Sequence, residues 1–190
     1  MFDWRDLSYL QTGTSRQQAA WQALFRTGVM AVLQSYDPVL AGTLPLQIDV
    51  DDSDLDIICE CQELDQFEAS VRAAYERKDG YVEERHFVGG VETGIIRFFS
   101  DGFWFELFAQ PIPVERQNAY RHMVLEARLL ELGGPEARRE IHLLKKQGIK
   151  TEPAFARYFG IPGEDPYLSL LRLESFTDEQ LRELVKAKTS

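Results

Sequence analysis

The sequence has few cysteines, no excess of basic residues and no long apolar run. Cys59 and Cys61 lie two positions apart in a strand-like segment, with no further Cys or His nearby at a zinc-ligand spacing, so we expect buried free thiols. No segment is apolar for long enough to span a membrane, and residues 1–6 do not combine a basic start with an apolar run. We therefore expect a cytoplasmic protein without a membrane partner.

The charge balance is acidic, with 21 Lys and Arg against 31 Asp and Glu and a formal net charge of −10. Proteins that bind long nucleic acids usually present a basic face, because neutralising phosphates supplies much of their affinity. The acidity therefore argues against a long nucleic acid partner. It does not exclude a nucleotide, since a bound divalent cation reverses the local sign of charge.

The order of predicted elements indicates an α+β fold. A helix that starts near Thr14 and runs to about Ser35 precedes two strands and one further helix, predicted at Val39–Thr43, Asp54–Cys59 and Asp65–Lys78. Glycine-containing turns then separate three strands of an antiparallel meander, at Tyr81–Val88, Val91–Phe99 and Phe103–Ala109. Four more helices are predicted beyond Pro113, at Arg116–Leu132, Ala137–Gln147, Pro153–Phe159 and Asp178–Lys186. We expect residues 1–112 to form an α/β core and residues 113–190 a helical C-terminal region packed on it.

Two carboxylates begin the second predicted strand. Side chains alternate along a strand, so Asp54 and Asp56 point to one face while Leu55 and Ile57 point to a core on the other. Two such carboxylates repel each other unless a cation lies between them, and Mg²⁺ takes one or two carboxylates together with phosphate oxygens. The alternative is a solvent-facing pair at the start of a strand.

Glu106 is the only charged residue in the apolar strand Phe103–Ala109. A lone acid in such a strand is seldom buried without an ion-pair partner or a metal, so Glu106 is a candidate third carboxylate of a site for phosphoryl transfer. Arg97 is the lone charge of the preceding strand and offers the alternative, an ion pair with Glu106 across the hairpin.

The spacing of these residues resembles a known signature. Ala41-Gly42-Thr43, ten residues and then Asp54-Leu55-Asp56-Ile57 are similar to the motif of the nucleotidyltransferase superfamily of the DNA polymerase beta type. The segments 42–59, 117–123 and 148–155 also resemble a bacterial family of uncharacterised function placed in that superfamily. The family resemblance covers most of the chain, whereas the superfamily motif covers only Ala41 to about Gln110.

The resemblance implies a nucleotidyltransferase-like mixed sheet with flanking helices and a helical C-terminal cap. It places Gly42 and Thr43 at the nucleotide phosphates, where a glycine lets the backbone approach closely. It assigns Mg²⁺, with Mn²⁺ as the alternative, to Asp54, Asp56 and Glu106. Thr43 stands where the motif usually has Ser, and Glu106 where it usually has Asp.

The helical third contains further candidates for nucleotide binding. Lys145, Lys146 and Lys150 form a local basic cluster for a triphosphate or a charged acceptor, and the alternative is a solvated helix end. Arg121 could pair with a phosphate or a carboxylate, and His122 could donate a hydrogen bond or relay a proton. The alternative for both is a helix start that ties itself to the sheet.

Taken together, these features predict an enzyme that transfers a nucleotidyl group from a nucleoside triphosphate to an unidentified hydroxyl acceptor, whether a small molecule, a protein or an RNA end. The alternative is a catalytically inactive nucleotide-binding or interaction module with the same fold. A metal-dependent nuclease or phosphatase would use similar carboxylates but leaves the Gly42-Thr43 turn unexplained.

Overall fold

The computed structural model describes residues 2–189, with side chains up to residue 186. Met1 and Ser190, at which the expected domains begin and end, lie outside the described residues. The chain divides into two units. The first comprises the residues up to Pro45 together with Asp52–Gln117, and the second comprises Leu46–Asp51 together with the residues from Asn118 onward.

The first unit is built on a five-stranded mixed sheet. Its strands are β1 (Val39–Ala41), β2 (Leu55–Glu60), β3 (Asp79–Val88), β4 (Val91–Ser100) and β5 (Phe103–Gln110). They lie in the order β1-β2-β5-β4-β3, and only the central β2–β5 pair is parallel. The predicted α+β class and the antiparallel meander of the last three strands are confirmed.

The helices of the first unit come before the meander. They are α1 (Tyr9–Thr12), α2 (Ser15–Thr27), α3 (Val29–Val32) and α4 (Leu64–Tyr75), with 3₁₀ turns at Gln34–Tyr36 and Val114–Arg116. The prediction of one helix reaching Ser35 was wrong, because Gly28 adopts a left-handed conformation (φ +66°) and ends α2. Its backbone N–H donates to the carbonyls of Leu24 and Phe25, as in a glycine-terminated helix.

The core of the first unit lies on one face of the sheet. Leu55, Ile57 and Cys59 of β2 are fully buried there, in one cluster with apolar residues of the helices such as Leu24 and Phe67. Strand alternation places Asp56 of β2 and Glu106 of β5 on the opposite face, together with apolar residues such as Ile58 and Phe108. Cys59 and Cys61 are buried free thiols as predicted, and burial raises the pKa of the Cys59 thiol.

The second unit is helical, with α5 (Asn118–Lys146), α6 (Thr151–Phe159), α7 (Pro166–Leu171) and α8 (Asp178–Thr189). As predicted, two helical segments lie on either side of residue 134, because α5 leaves helical geometry at Gly134 (φ +65°, ψ −163°), directly before Pro135. The sequence prediction missed α7. None of the helices within residues 2–189 has both the length and the apolar character that a membrane crossing requires.

Candidate active site in the first unit

Two half-buried carboxylates lie at the start of β2, on the face opposite the core. Asp56 is the second residue of β2. Asp54 comes immediately before the strand, which begins one residue later than the predicted start at Asp54. Leu55 and Ile57 between and beyond them are fully buried, which fixes the orientation of the strand. The predicted placement of these two apolar residues in the core is therefore confirmed.

The turn after β1 lies directly against one of these carboxylates. Ala41, the last residue of β1, pairs with Asp56 across the sheet, and Gly42 follows with φ +76°. A Cβ atom added to Gly42 would lie 2.1 Å from Oδ2 of Asp56. Glycine is thus required at this position both for the backbone conformation and for the space that the carboxylate occupies.

The rest of this turn is tied to the segment that carries Asp54. The Thr43 hydroxyl donates to the Ser53 hydroxyl at 3.4 Å. Arg16, in the first turn of α2, donates from Nη2 to the backbone carbonyl of Ser53 at 3.4 Å, and its guanidinium lies 4.3 Å from the ring centroid of Phe103. Sequence reasoning missed Arg16, since nothing in its local sequence distinguishes it from a solvated helix residue.

The third predicted carboxylate lies on the neighbouring strand. Glu106 of β5 is the register partner of Asp56 in the parallel pair, so their side chains leave the same face next to each other. On its other side Glu106 pairs with Arg97 of β4, whose Nε donates to Oε2 of Glu106 at 2.5 Å. The ion pair considered from the sequence is therefore present.

The electrostatics of this face follow from that pair. The hydrogen bond with Glu106 is the main cause that raises the pKa of Arg97 above its ordinary value, and the carboxylate of Asp54 contributes to the same shift. Arg97 therefore partly balances the negative charge of the carboxylates. The Arg97 side chain is 54% exposed, so it can move away from Glu106 without disturbing packed neighbours.

The donor chemistry of this face suits magnesium. Asp54 and Asp56 offer carboxylate oxygens on a partly open face, and one or two carboxylates with phosphate oxygens are the usual protein contribution to a Mg²⁺ site. Both contacts of Arg97 with Glu106 are to Oε2, so Oε1 of Glu106 could join the two aspartates while the ion pair is kept.

The other three predicted nucleotide-binding residues belong to the second unit. Arg121 in α5 donates to both carboxylate oxygens of Glu174, at 2.9 and 2.5 Å, and to Asn118 at 3.0 Å. Lys146 ends α5 and Lys150 immediately precedes α6, and both are exposed. The structure thus brings together Gly42, Thr43, Asp54, Asp56 and Glu106, and it places the other three among the helices.

A family model with the description "Domain of unknown function (DUF4269)" matches residues 22–173. The chain belongs to the DUF4269 family. The match includes every predicted site residue of both units. A search of curated proteins gives no match to this DUF4269 chain.

Solved structures share the fold of this DUF4269 member. The GLD-2/RNP-8 complex matches with a TM-score of 0.52 at 12% identity, over 98% of this chain and 71% of that one. Cid1, described by its RNA terminal uridylyl transferase activity, matches with a TM-score of 0.53 at 10% identity, over 80% of this chain and 50% of that one. The polymerase core of TRAMP, an RNA surveillance complex, matches with a TM-score of 0.50 at 12% identity, over 93% and 58% of the two chains.

These likenesses establish a nucleotidyltransferase fold for the DUF4269 chain. At 10–12% identity these likenesses show the fold and do not show an activity or a substrate. The chain spans about half the length of the first solved structures that it matches, 44% in one Cid1 structure and 50% in another.

Proposed function

We propose that this chain is a magnesium-dependent nucleotidyltransferase. The observation that carries the proposal is the contact between the Gly42 backbone and the carboxylate of Asp56, beside Glu106 on the next strand. A nucleotidyltransferase needs a backbone turn for the phosphates next to carboxylates for the metal, and this chain has both within one face of the sheet. Cid1 poly(U) polymerase, a protein of similar fold, has been solved with MgGTP bound.

In this proposal Asp54 and Asp56 hold the cation, and Gly42 and Thr43 contact the triphosphate. Magnesium supplies charge neutralisation at the phosphate oxygens. The acceptor hydroxyl oxygen forms a bond to the α-phosphorus while the bond to pyrophosphate breaks, and pyrophosphate leaves. Glu106 takes the hydroxyl proton, and Arg97 holds Glu106 in place until the acceptor arrives. Arg121, Lys146 and Lys150 remain candidates for nucleotide binding.

The acceptor in this proposal is a small molecule or a protein hydroxyl rather than a long nucleic acid. The net charge of −10 opposes the phosphate contacts that hold a long polyanion. A nucleoside triphosphate escapes this penalty because it arrives with its own divalent cation.

One observation favours a second candidate function. The ion pair with Arg97 already gives the third carboxylate a partner of opposite charge within the protein, at Oε2. A chain in which this pair is permanent would be a nucleotide-binding module without transfer activity.

Thermal unfolding with each nucleoside triphosphate, with and without Mg²⁺, tests the proposal. A triphosphate present at 100 times its Kd should raise the Tm by about 5–10 °C in the presence of Mg²⁺. Asp54→Asn/Asp56→Asn should lose this rise. Asp51→Asn/Asp52→Asn, which removes two negative charges from exposed positions just before Ser53, should keep it. The proposal fails if no triphosphate shifts the wild type or if the first double variant responds equally.

Glu106→Gln separates the two candidate functions. If the chain is a transferase, the wild type should release pyrophosphate and Glu106→Gln should not. The triphosphate should still raise the Tm of the variant. For the binding module, wild type and Glu106→Gln should both bind triphosphate, and neither should release pyrophosphate with any hydroxyl acceptor supplied.

A further inference from the structure

Three potential metal ligands converge among the helices of the second unit. His122 and Glu126 lie one turn apart on α5, so their side chains leave the same side of the helix. Glu152 lies in the first turn of α6. One ligand atom from each of the three lies within 4.8 Å of the other two.

Two of these side chains are buried with a polar atom unsatisfied. His122 is 6% exposed and Glu126 is 3% exposed. Among the residues that the structure describes, Nδ1 of His122 and Oε1 of Glu126 have no hydrogen-bond partner. An unpaired buried polar atom costs about 1–3 kcal/mol, so two of them beside a third potential ligand require an explanation.

The charges of the cluster are only partly balanced inside the unit. Burial is the main cause that raises the pKa of Glu126 and of Glu152, and the positive charge of Lys145 opposes both shifts. Lys145 also donates from Nζ to the Thr151 hydroxyl at 3.0 Å. Lys150, exposed at the residue before α6, also opposes the shift of Glu152, so one ammonium group acts on both carboxylates and a second acts on Glu152 alone. A divalent cation would bring positive charge directly between the two carboxylates.

The surroundings of His122 act on both its charge and its orientation. Burial, followed by the charge of Arg121, lowers the pKa of His122 below its ordinary value. The edge of Tyr167 lies against its ring, with the centroids 6.2 Å apart, and limits the orientations of the ring.

The geometry points to a divalent transition-metal site that binds Zn²⁺ or Mn²⁺, with His122, Glu126 and Glu152 as the ligands. An imidazole nitrogen with carboxylate oxygens suits these ions, whereas Mg²⁺ and Ca²⁺ prefer oxygen ligands alone. Metal–ligand bonds of about 2.0–2.2 Å require the three side chains to close by roughly 1 Å. The bound ion links the N-terminal part of α5 to the start of α6. The site does not rest on the proposed transferase activity.

Thermal unfolding of chelator-treated protein tests this site. Zn²⁺ or Mn²⁺ at 100 times its Kd should raise the Tm of the wild type by about 5–10 °C, and Mg²⁺ and Ca²⁺ should not. Glu126→Gln and Glu152→Gln should each abolish the rise. Two variants are used so that the test still stands if one of them fails to fold. Glu136→Gln, an exposed change beyond the Gly134 kink of α5, should retain the rise.

The double variant of the two aspartates on the sheet separates this site from the one proposed there. Asp54→Asn/Asp56→Asn should keep the full response to Zn²⁺ or Mn²⁺ and bind one ion per chain in a calorimetric titration. Loss of the response in that variant with retention in Glu126→Gln would overturn the assignment. A wild type that responds to none of the four ions would also overturn it, and would leave a proton shared between the two glutamates as the explanation of the cluster.

Discussion

At the scale of single residues, the contact between Gly42 and Asp56 is the most constrained feature of the candidate active site. Gly42→Ala introduces a Cβ at a φ of +76° and 2.1 Å from Oδ2 of Asp56. A non-glycine residue in the left-handed region costs about 1–3 kcal/mol, and displacement of the carboxylate adds to this. We expect the variant to lose more than about 2 kcal/mol of unfolding free energy, measured by denaturant titration, together with the response to triphosphate and Mg²⁺.

Gly90→Ala is the matched control for this prediction. Gly90 has nearly the same φ, +81°, but a Cβ added there would meet nothing within 4 Å. Its cost should therefore be the backbone strain alone, about 1–3 kcal/mol, without the added cost of displacing a carboxylate. Equal losses in the two variants would show that Asp56 moves aside freely and that the close approach has no energetic consequence.

Residue-level reasoning from the sequence succeeded where strand alternation decides the outcome. It placed Asp54 and Asp56 on one side and Leu55 and Ile57 in the core. It left open whether Glu106 faces the aspartates or Arg97, because that depends on the strand register. In the structure β5 lies between β2 and β4, so Glu106 has Asp56 on one side and Arg97 on the other.

At the scale of elements, the start of α2 is linked to the loop that follows the Gly42 turn. Thr14 and Gln17 form a reciprocal capping box, and Gln17 is fully buried. Nε2 of Gln17 donates to the carbonyl of Leu44 at 3.0 Å, while its Oε1 accepts from the Thr14 N–H. The Gln17 side chain thus bonds both to the Thr14 N–H at the start of α2 and to the Leu44 carbonyl in the loop after the Gly42 turn.

Gln17→Ala should therefore be costly. It leaves the Thr14 N–H and the Leu44 carbonyl without their partner, and we expect a loss of about 2–3 kcal/mol in unfolding free energy. Gln18→Ala is the control, since Gln18 is exposed and only its Nε2 bonds to the carbonyl of Gly13. The control should change stability by less than about 0.5 kcal/mol. Equally small losses in both variants would contradict the anchoring role of Gln17.

Helix breaks and buried polar clusters mark the limit of sequence reasoning at this scale. Helical periodicity predicts a long helix up to Ser35, but it cannot show that Gly28 takes a left-handed conformation instead of continuing the helix. The cluster of Glu126 and Glu152 with His122 was missed for a related reason. Two of its members are close in sequence, but the third comes from another helix, and only packing brings it near.

At the scale of the whole molecule, the fold leaves the acceptor open, and the net charge is the property that bears on it. The solved structures of similar fold include a poly(U) polymerase and the core of an RNA surveillance complex. This chain carries a net charge of −10 and spans about half the length of the first of those structures. Fold class was predictable because it follows from the order of elements, whereas the acceptor depends on surface contacts that periodicity does not encode.

RNA binding is therefore the measurement that decides between an RNA acceptor and a small-molecule or protein acceptor. We expect a fluorescent 20-nucleotide single-stranded RNA to bind with a Kd weaker than about 10⁻⁴ M at 150 mM salt, measured by anisotropy, because too few cations are available to neutralise its phosphates. The triphosphate-induced rise in Tm on the same preparation controls for folded protein. A Kd below about 10 μM with a log–log salt slope steeper than about −4, equivalent to some six phosphate contacts, would contradict the prediction. In that case the acceptor would be an RNA end, with a local basic surface outweighing the net charge.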